Sequence, residues 1–257
     1  MIVGLVRLVA LGVDTALFVP VVLVTSLLDR DAKLGYRIAR YWALVNARVA
    51  GMRLHVEGLE HLDPHVSYVF MSNHRSHLDV LALVRALWPY QLRWVTKREL
   101  TRVPGFGWAL LATRQIIIDR ARHDQALASL EHAKERLGRG ISVVFFPEGT
   151  RARGDAMLPF KKGGFVFALQ TGTPIVPIAI TGTAAIMPRS RWLIRHGGDV
   201  RVTIHPPIAT AGRPLDDRDA LLAAVRDVLA ASIGRAGAAA PAAQVAARRG
   251  WPAGAPA

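Results

Sequence analysis

Cysteine is absent from the 257 residues, which excludes disulfides, cysteine-ligated zinc, iron–sulfur clusters and a thiol nucleophile. Acidic residues are scarce: 19 Asp plus Glu stand against 33 Lys plus Arg, a formal net charge of +14. Charge of either sign is thin, at 20% of residues, and aromatics make up only 7%. A disordered basic tail or a histone-like polymer is excluded as well, because 51% of the chain is hydrophobic and must bury a core. What is present is an uncommon pair of properties, a net positive charge and apolarity. The acidic partner of such a chain is either nucleic acid or an anionic membrane, and the way the two properties are distributed decides between them. A soluble nucleic-acid-binding module is the weaker reading, since no RNA-recognition, zinc-finger or helix-turn-helix signature occurs.

The apolar residues are concentrated at the start. Residues 1–28 contain only Arg7 and Asp14 as charges, and 8–28 is long enough for a bilayer, which requires about 20 apolar residues. A secretory signal is the poorer reading, because those charges interrupt the apolar run and no convincing small-residue cleavage site follows. Asp14 and Pro20 argue for a tilted or re-entrant membrane helix over a simple spanning one, and a buried core helix is the rival reading. Over 30–49, Leu34, Ile38, Tyr41, Val45 and Val49 recur at helical spacing beside Lys33, Arg37, Arg40 and Arg48. Such paired stripes let a helix lie among anionic headgroups. Residues 1–50 are therefore expected to form membrane-associating helices.

From 51 to 234 the pattern changes to short β-branched runs that alternate with helical ones. Strands are expected near 54–57, 68–71, 92–96, 115–118, 142–146, 175–180 and 200–205. Helices are expected near 78–88, 105–112, 123–137, 163–170 and 214–233. This alternation predicts an α/β domain, a mainly parallel or mixed central sheet flanked by helices, with ligands beyond the carboxyl ends of the strands. Residues 235–257 are almost all Ala, Gly and Pro and are expected to be a disordered tail.

Two loops hold the chemistry. The stretch Asn73-His74-Arg75-Ser76-His77-Leu78-Asp79 places His74 just past a strand and Asp79 one turn into the next helix. A histidine is a general base near neutral pH, and a carboxylate on its second ring nitrogen fixes the tautomer and stabilises the imidazolium. A structural histidine, or a metal site with His77, remains open on spacing alone. The second loop is Phe146-Pro147-Glu148-Gly149-Thr150-Arg151, where Pro147 stops a strand, Gly149 permits unusual backbone angles, and Thr150 and Arg151 present donors. Arg120 ends another strand and Lys161-Lys162 precedes a helix, so three loops bring cations to strand ends, as a phosphate or carboxylate pocket requires.

Taken together, Asn73-His74-x4-Asp79, Ile118-Asp119-Arg120, Phe146 to Arg151 and Ile175-Val176-Pro177-Ile178 resemble, in order and approximate spacing, the four motif blocks of the glycerolipid acyltransferase family. The resemblance is to its bacterial 1-acyl-glycerol-3-phosphate (lysophosphatidic acid) acyltransferase branch, and it covers roughly residues 50–210. One departure is Arg114, where the family usually has glycine five residues before the aspartate of the second block. The resemblance implies transfer of a fatty acyl group from acyl-CoA or acyl carrier protein to a lipid hydroxyl, with no metal and no resident cofactor. It implies that His74 removes the hydroxyl proton while Asp79 orients it, that Arg120 and Arg151 hold the acceptor phosphate, and that Glu148, Gly149 and Thr150 shape that loop. Lys97 is a further expected phosphate or oxyanion ligand. His77 stands behind the catalytic pair, and Pro104-Gly-Phe-Gly-Trp108 lines an acyl tunnel or forms a core helix. The expected acceptor is lysophosphatidic acid, with lyso-ornithine lipid or glycerol 3-phosphate as the alternatives. The expected place is the inner membrane or the cytoplasmic face of a membrane, and an inactive membrane adaptor is the remaining alternative.

Overall fold

In the structure, a computed structural model, residues 2–119, 134, 140–152, 154, 156–189, 194 and 196–239 are described. Two helices come first, α1 (Ile2–Ser26) and α2 (Lys33–Val49). The turn between them is built by Asp29, whose carboxylate accepts N–H bonds from Asp31, Lys33 and Leu34 at 2.8–2.9 Å. Two of those donors belong to the first turn of α2, which has no partners of its own for them.

Seven strands follow: β1 (Met52–Glu57), β2 (Val69–Ser72), β3 (Gln91–Lys97), β4 (Ile116–Ile118), β5 (Ile141–Phe145), β6 (Ile175–Thr181) and β7 (Gly198–Ile204). They form one mixed sheet in the order β1-β7-β6-β2-β5-β3-β4. β6, β2, β5, β3 and β4 are mutually parallel, while β7 runs antiparallel to β6 and carries β1 alongside it. Between strands lie α3 (Leu78–Ala86), α4 (Phe106–Ala112), α5 (Gly163–Thr171) and a four-residue α6 (Thr183–Ile186), and α7 (Arg218–Ala239) closes the described chain. The mixed α/β sheet expected from the alternating pattern is thus present.

Side chains on β2 alternate between two cores, as the two-residue period of a strand demands. Phe70 joins Tyr36, Leu83 and Tyr90 on the face covered by α2 and α3. Val69 and Met71 join Phe165, Phe167 and Leu229 on the face covered by α5 and α7. A central strand buried on both faces has to be a continuous apolar run, and Val69-Phe70-Met71 is one.

Two expectations are corrected, the outward place of Arg40 and the start of the tail, and one rival reading of α1 falls away. Of α1 only Gly4, Val22 and Ser26 are buried, so it is not a core helix; Leu5, Val9, Val13, Leu17, Val21 and Val24 are exposed. In α2 the buried residues are Gly35, Tyr36, Ala43, Leu44, Asn46 and Ala47, while the Leu34 to Val49 stripe beside them stays partly open. Small residues allow close approach: a methyl on Gly35 would lie 2.0 Å from Ser26 Oγ. Arg40 is also turned inward, donating to the Trp88 carbonyl with its guanidinium 4.9 Å from the Trp88 ring centre; Arg37 and Arg48 stay exposed. α7 runs to Ala239, five residues into the segment expected to be disordered, because alanine extends an existing helix at little cost. Residues 240–257 and the helix expected over 123–137, Lys134 apart, lie outside the described residues.

Candidate active site

The parallel strands point their carboxyl ends at one edge of the sheet, and the two chemistry-bearing loops leave from adjacent strands there. Register pairs Met71 of β2 with Phe145 of β5, which brings His74 beside Phe146. Asn73 then locks the end of β2 to β6: its side-chain amide donates to the Ile180 carbonyl at 2.9 Å and accepts from the Ile180 N–H at 2.8 Å. That exchange imitates one more rung of the sheet ladder and fixes the backbone just ahead of His74.

His74 Nδ1 lies 2.9 Å from Asp79 Oδ2. Asp79 is fully buried in the first turn of α3. The same oxygen accepts the N–H groups of Arg75 and Ser76 at 2.7 and 2.8 Å, and Oδ1 accepts from the Thr183 hydroxyl at 2.5 Å. With Nδ1–H committed to the carboxylate, Nε2 is the ring nitrogen left to take a proton.

The backbone of His74 is clamped as well. Its N–H donates to Glu148 Oε1 at 2.8 Å, and its carbonyl accepts from Ala152 N–H at 2.8 Å. Glu148 Oε2 accepts from Leu158 N–H at 2.8 Å. Burial pushes the Glu148 carboxyl upward, and the two amide bonds and the His74 ring pull it back in part. Its two oxygens therefore tie the His74 loop to its own loop. Within that loop Gly149 adopts a left-handed φ of 73°, and its N–H donates to the Phe146 carbonyl at 2.9 Å, a turn that disfavours any side chain at that position.

Aromatic rings complete the setting. The Phe146 ring stacks on the His74 imidazole at 3.9 Å and 13°, and Trp94 stacks behind Phe146 at 5.8 Å. Arg151 and Arg189 sit alongside, with an Arg189 guanidinium N–H donating to the Arg151 carbonyl. Burial and then Arg189 lower Arg151. Burial and then Arg151 push the His77 imidazole down to about 4, and the Ala152 N–H bond to the His74 carbonyl holds the Arg151 backbone beside the His74 loop. Among the described residues no acidic side chain forms an ion pair with Arg151. Lys97 ends β3 on the same edge, in register with Ile118. Asp119 is bound to Arg98 at 3.1 Å, and Arg120 lies outside the described residues.

Expected residues His74, Asp79, Glu148, Gly149, Thr150 and Arg151 are thus brought together, with Lys97 on the same edge. Sequence reasoning misses Thr183, Arg189, Phe146 and Trp94. Only Phe146 had a signal, its place at the head of the Pro-Glu-Gly-Thr-Arg loop. Trp108 is 58% exposed and is not a core residue.

A family model described as Acyltransferase matches residues 53–181. The chain belongs to the acyltransferase family. A chloroplastic 1-acyl-sn-glycerol-3-phosphate acyltransferase of Brassica napus is 36% identical over 177 residues, 68% of this chain and 51% of that protein. The alpha form of the same enzyme in Mus musculus is 35% identical over 191 residues, 74% of this chain and 67% of that one. The chain thus spans about half the length of the plant relative and two thirds of the animal one. The crystal structure of the 1-acyl-sn-glycerophosphate acyltransferase PlsC from Thermotoga maritima shares the fold, with a TM-score of 0.75 at 24% identity over 91% of this chain and 96% of that one. All four motif blocks and the His74–Asp79 pair lie within the family match.

Proposed function

We propose that this acyltransferase moves a fatty acyl group from acyl-CoA or acyl carrier protein to the free hydroxyl of lysophosphatidic acid, giving phosphatidic acid. The observation that carries the chemistry is the His74–Asp79 pair at 2.9 Å, beside Arg151 and Arg189. The acceptor oxygen attacks the thioester carbonyl carbon while Nε2 of His74 takes its proton. The tetrahedral intermediate then collapses, the C–S bond breaks, and the proton passes from His74 to the departing thiolate. Asp79 holds the ring and offsets the positive charge it carries in between, the part a buried carboxylate performs in such pairs. Arg151, with Lys97 and Arg120, is assigned to the acceptor phosphate, for which planar guanidinium groups suit best. Thr150 and Gly149 shape the loop that presents Arg151.

The acceptor is a lipid, and α1 supports a membrane-bound enzyme. It is 25 residues long with mean hydropathy 2.2 over an 18-residue window. Its middle is tied to α2: Trp42 Nε1 donates to Thr15 Oγ1 at 3.0 Å, and Asn46 donates to Asp14. Those ties to α2, which packs on the sheet, favour a helix that lies in one leaflet over one that crosses the bilayer. It lies in one leaflet on the cytoplasmic face, where acyl donors are made, with its exposed apolar side among the acyl chains.

Purified protein incubated with labelled acyl-CoA or acyl carrier protein and a panel of lysophosphatidic acid, glycerol 3-phosphate and lyso-ornithine lipid tests this reading. Label is expected in phosphatidic acid. Transfer to another acceptor alone would refute the assigned substrate, and no transfer by folded protein would refute the activity.

A further inference from the structure

We infer that the segment after β3, from Leu100 to Leu111, is a second membrane-seating element that enters the same anionic leaflet as α1. The inference rests on the membrane reading of α1 given above. A 3-10 turn (Arg98–Arg102) leads into α4, and the two expose Leu100, Val103, Trp108 and Leu111. Trp108 at 58% and Leu111 at 54% are too open to contribute to the core. An amphipathic tryptophan on an apolar patch suits the headgroup boundary, where its ring is in hydrocarbon and its N–H is wet.

The patch is continuous with the apolar side of α1. A methyl on Gly105 would lie 3.9 Å from both methyls of Val19, and the Phe106 ring packs 6.4 Å from that of Trp42. The segment is also anchored firmly to the domain. A methyl on Gly107 would lie 2.1 Å from the Thr101 carbonyl oxygen, so α4 rests directly on the backbone of the turn, and Gly105 has the left-handed φ of 71° that glycine tolerates best. Exposed Arg102 flanks the patch, with Glu99 the exposed acid nearby and Arg98 bound to Asp119. Each cation held near an anionic surface adds about 1 kcal/mol of attraction.

Location gives the surface a purpose. The turn leaves β3 at Lys97, on the sheet edge that carries His74. Seating α4 in the leaflet sets that edge against the headgroup layer, where the hydroxyl of a membrane-resident lipid acceptor lies. α1 alone would tether the enzyme; α1 and α4 together fix how it faces the lipid.

The test uses full-length protein and vesicles of phosphatidylethanolamine and phosphatidylglycerol, the latter brominated on its acyl chains. Bromine quenches only tryptophans that reach the hydrocarbon. Trp108→Phe keeps the apolar bulk and removes the reporter, so wild type and variant should float alike with the vesicles while the variant loses much of the quenching. Trp108→Ala combined with Leu111→Ser should lower vesicle partition about tenfold, equivalent to transferring one large apolar side chain. Equal quenching of wild type and Trp108→Phe, with both bound, would overturn the inference and leave α1 as the anchor. Flotation of neither would remove the α1 reading and this one with it. If the double variant instead turns a dimer into a monomer with partition unchanged, the patch belongs to a second copy and the membrane assignment is wrong.

Discussion

His74 is immobilised from three directions: Asp79 holds its Nδ1, Glu148 and Ala152 hold its backbone, and Phe146 covers one ring face. Removing the proposed base should therefore cost catalysis far more than it loosens the loop. His74→Ala is expected to reduce turnover by about 10²–10⁴-fold, the usual contribution of positioned proton transfer, in protein that remains folded; retained turnover would refute the assignment. Glu148→Gln turns one acceptor into an amide that faces an N–H donor. It should destabilise the fold by about 1–3 kcal/mol in denaturant melts and lower kcat more than it raises KM for the acceptor. A residue that bound phosphate would show the opposite split. His77 supplies a pH signature. Its imidazole is pushed from the usual 6.5 down to about 4, so in the folded protein it stays neutral while the unfolded chain takes up a proton. Stability is then full above about 6.5 and falls as pH drops towards about 4. Thermal melts across that range should show the decline, and His77→Asn should flatten it.

At the scale of elements, the helical pair α1–α2 is joined to the sheet through Arg93, a fully buried arginine on β3. Its guanidinium donates to the Asp31 carbonyl at 2.5 Å and the Leu92 carbonyl at 2.8 Å, and it lies 5.3 Å from the Tyr36 ring centre. Burial raises the Tyr36 hydroxyl well above its ordinary range, so the ring stays neutral beneath the cation. One side chain thus links the α1–α2 turn, α2 and the strand that ends at Lys97. Arg93→Met should cost about 3 kcal/mol or more, because it removes two hydrogen bonds from a charged donor, each worth about 1.5–3 kcal/mol; chemical denaturation measures it. The same β3 carries Trp94 next in line, stacked behind Phe146. Deforming the turn at Arg93 should therefore lower kcat as well as stability, although Arg93 touches no reacting group.

For the whole molecule, the charge of +14 serves several places. Arg40 and Arg93 are consumed inside the protein, Arg151 and Arg189 lie at the candidate site, and Arg37, Arg48 and Arg102 remain on the surface. Electrostatic attraction from those exposed cations is screened in concentrated salt, whereas the apolar face of α1 is not. Membranes washed in about 1 M salt, where the screening length is about 3 Å, should retain the protein, and detergent should release it. Release by salt alone would make the chain a peripheral, charge-held protein.

Local chemistry made much of this legible from the chain itself. Short β-branched runs between helical ones specify an α/β sheet because period and length are local properties. His74 and Asp79 could be paired on paper because five residues across a strand-to-helix turn bring two side chains together wherever that turn is placed. Partners drawn from distant segments had no such signature. Thr183 reaches Asp79 across 104 residues, Arg189 meets Arg151 from another loop, and Glu148 faces the His74 amide across 74; only the parallel register of β2, β5 and β6 sets these side by side. The N-terminal helices show the same division. That residues 2–26 are apolar enough for lipid was written in their composition, but which face of α2 turns inward depended on the small residues that fit α1 and on the aromatic pocket that takes Arg40. Close packing is decided by shape complementarity between segments, a property of the folded molecule that no single stretch of sequence contains.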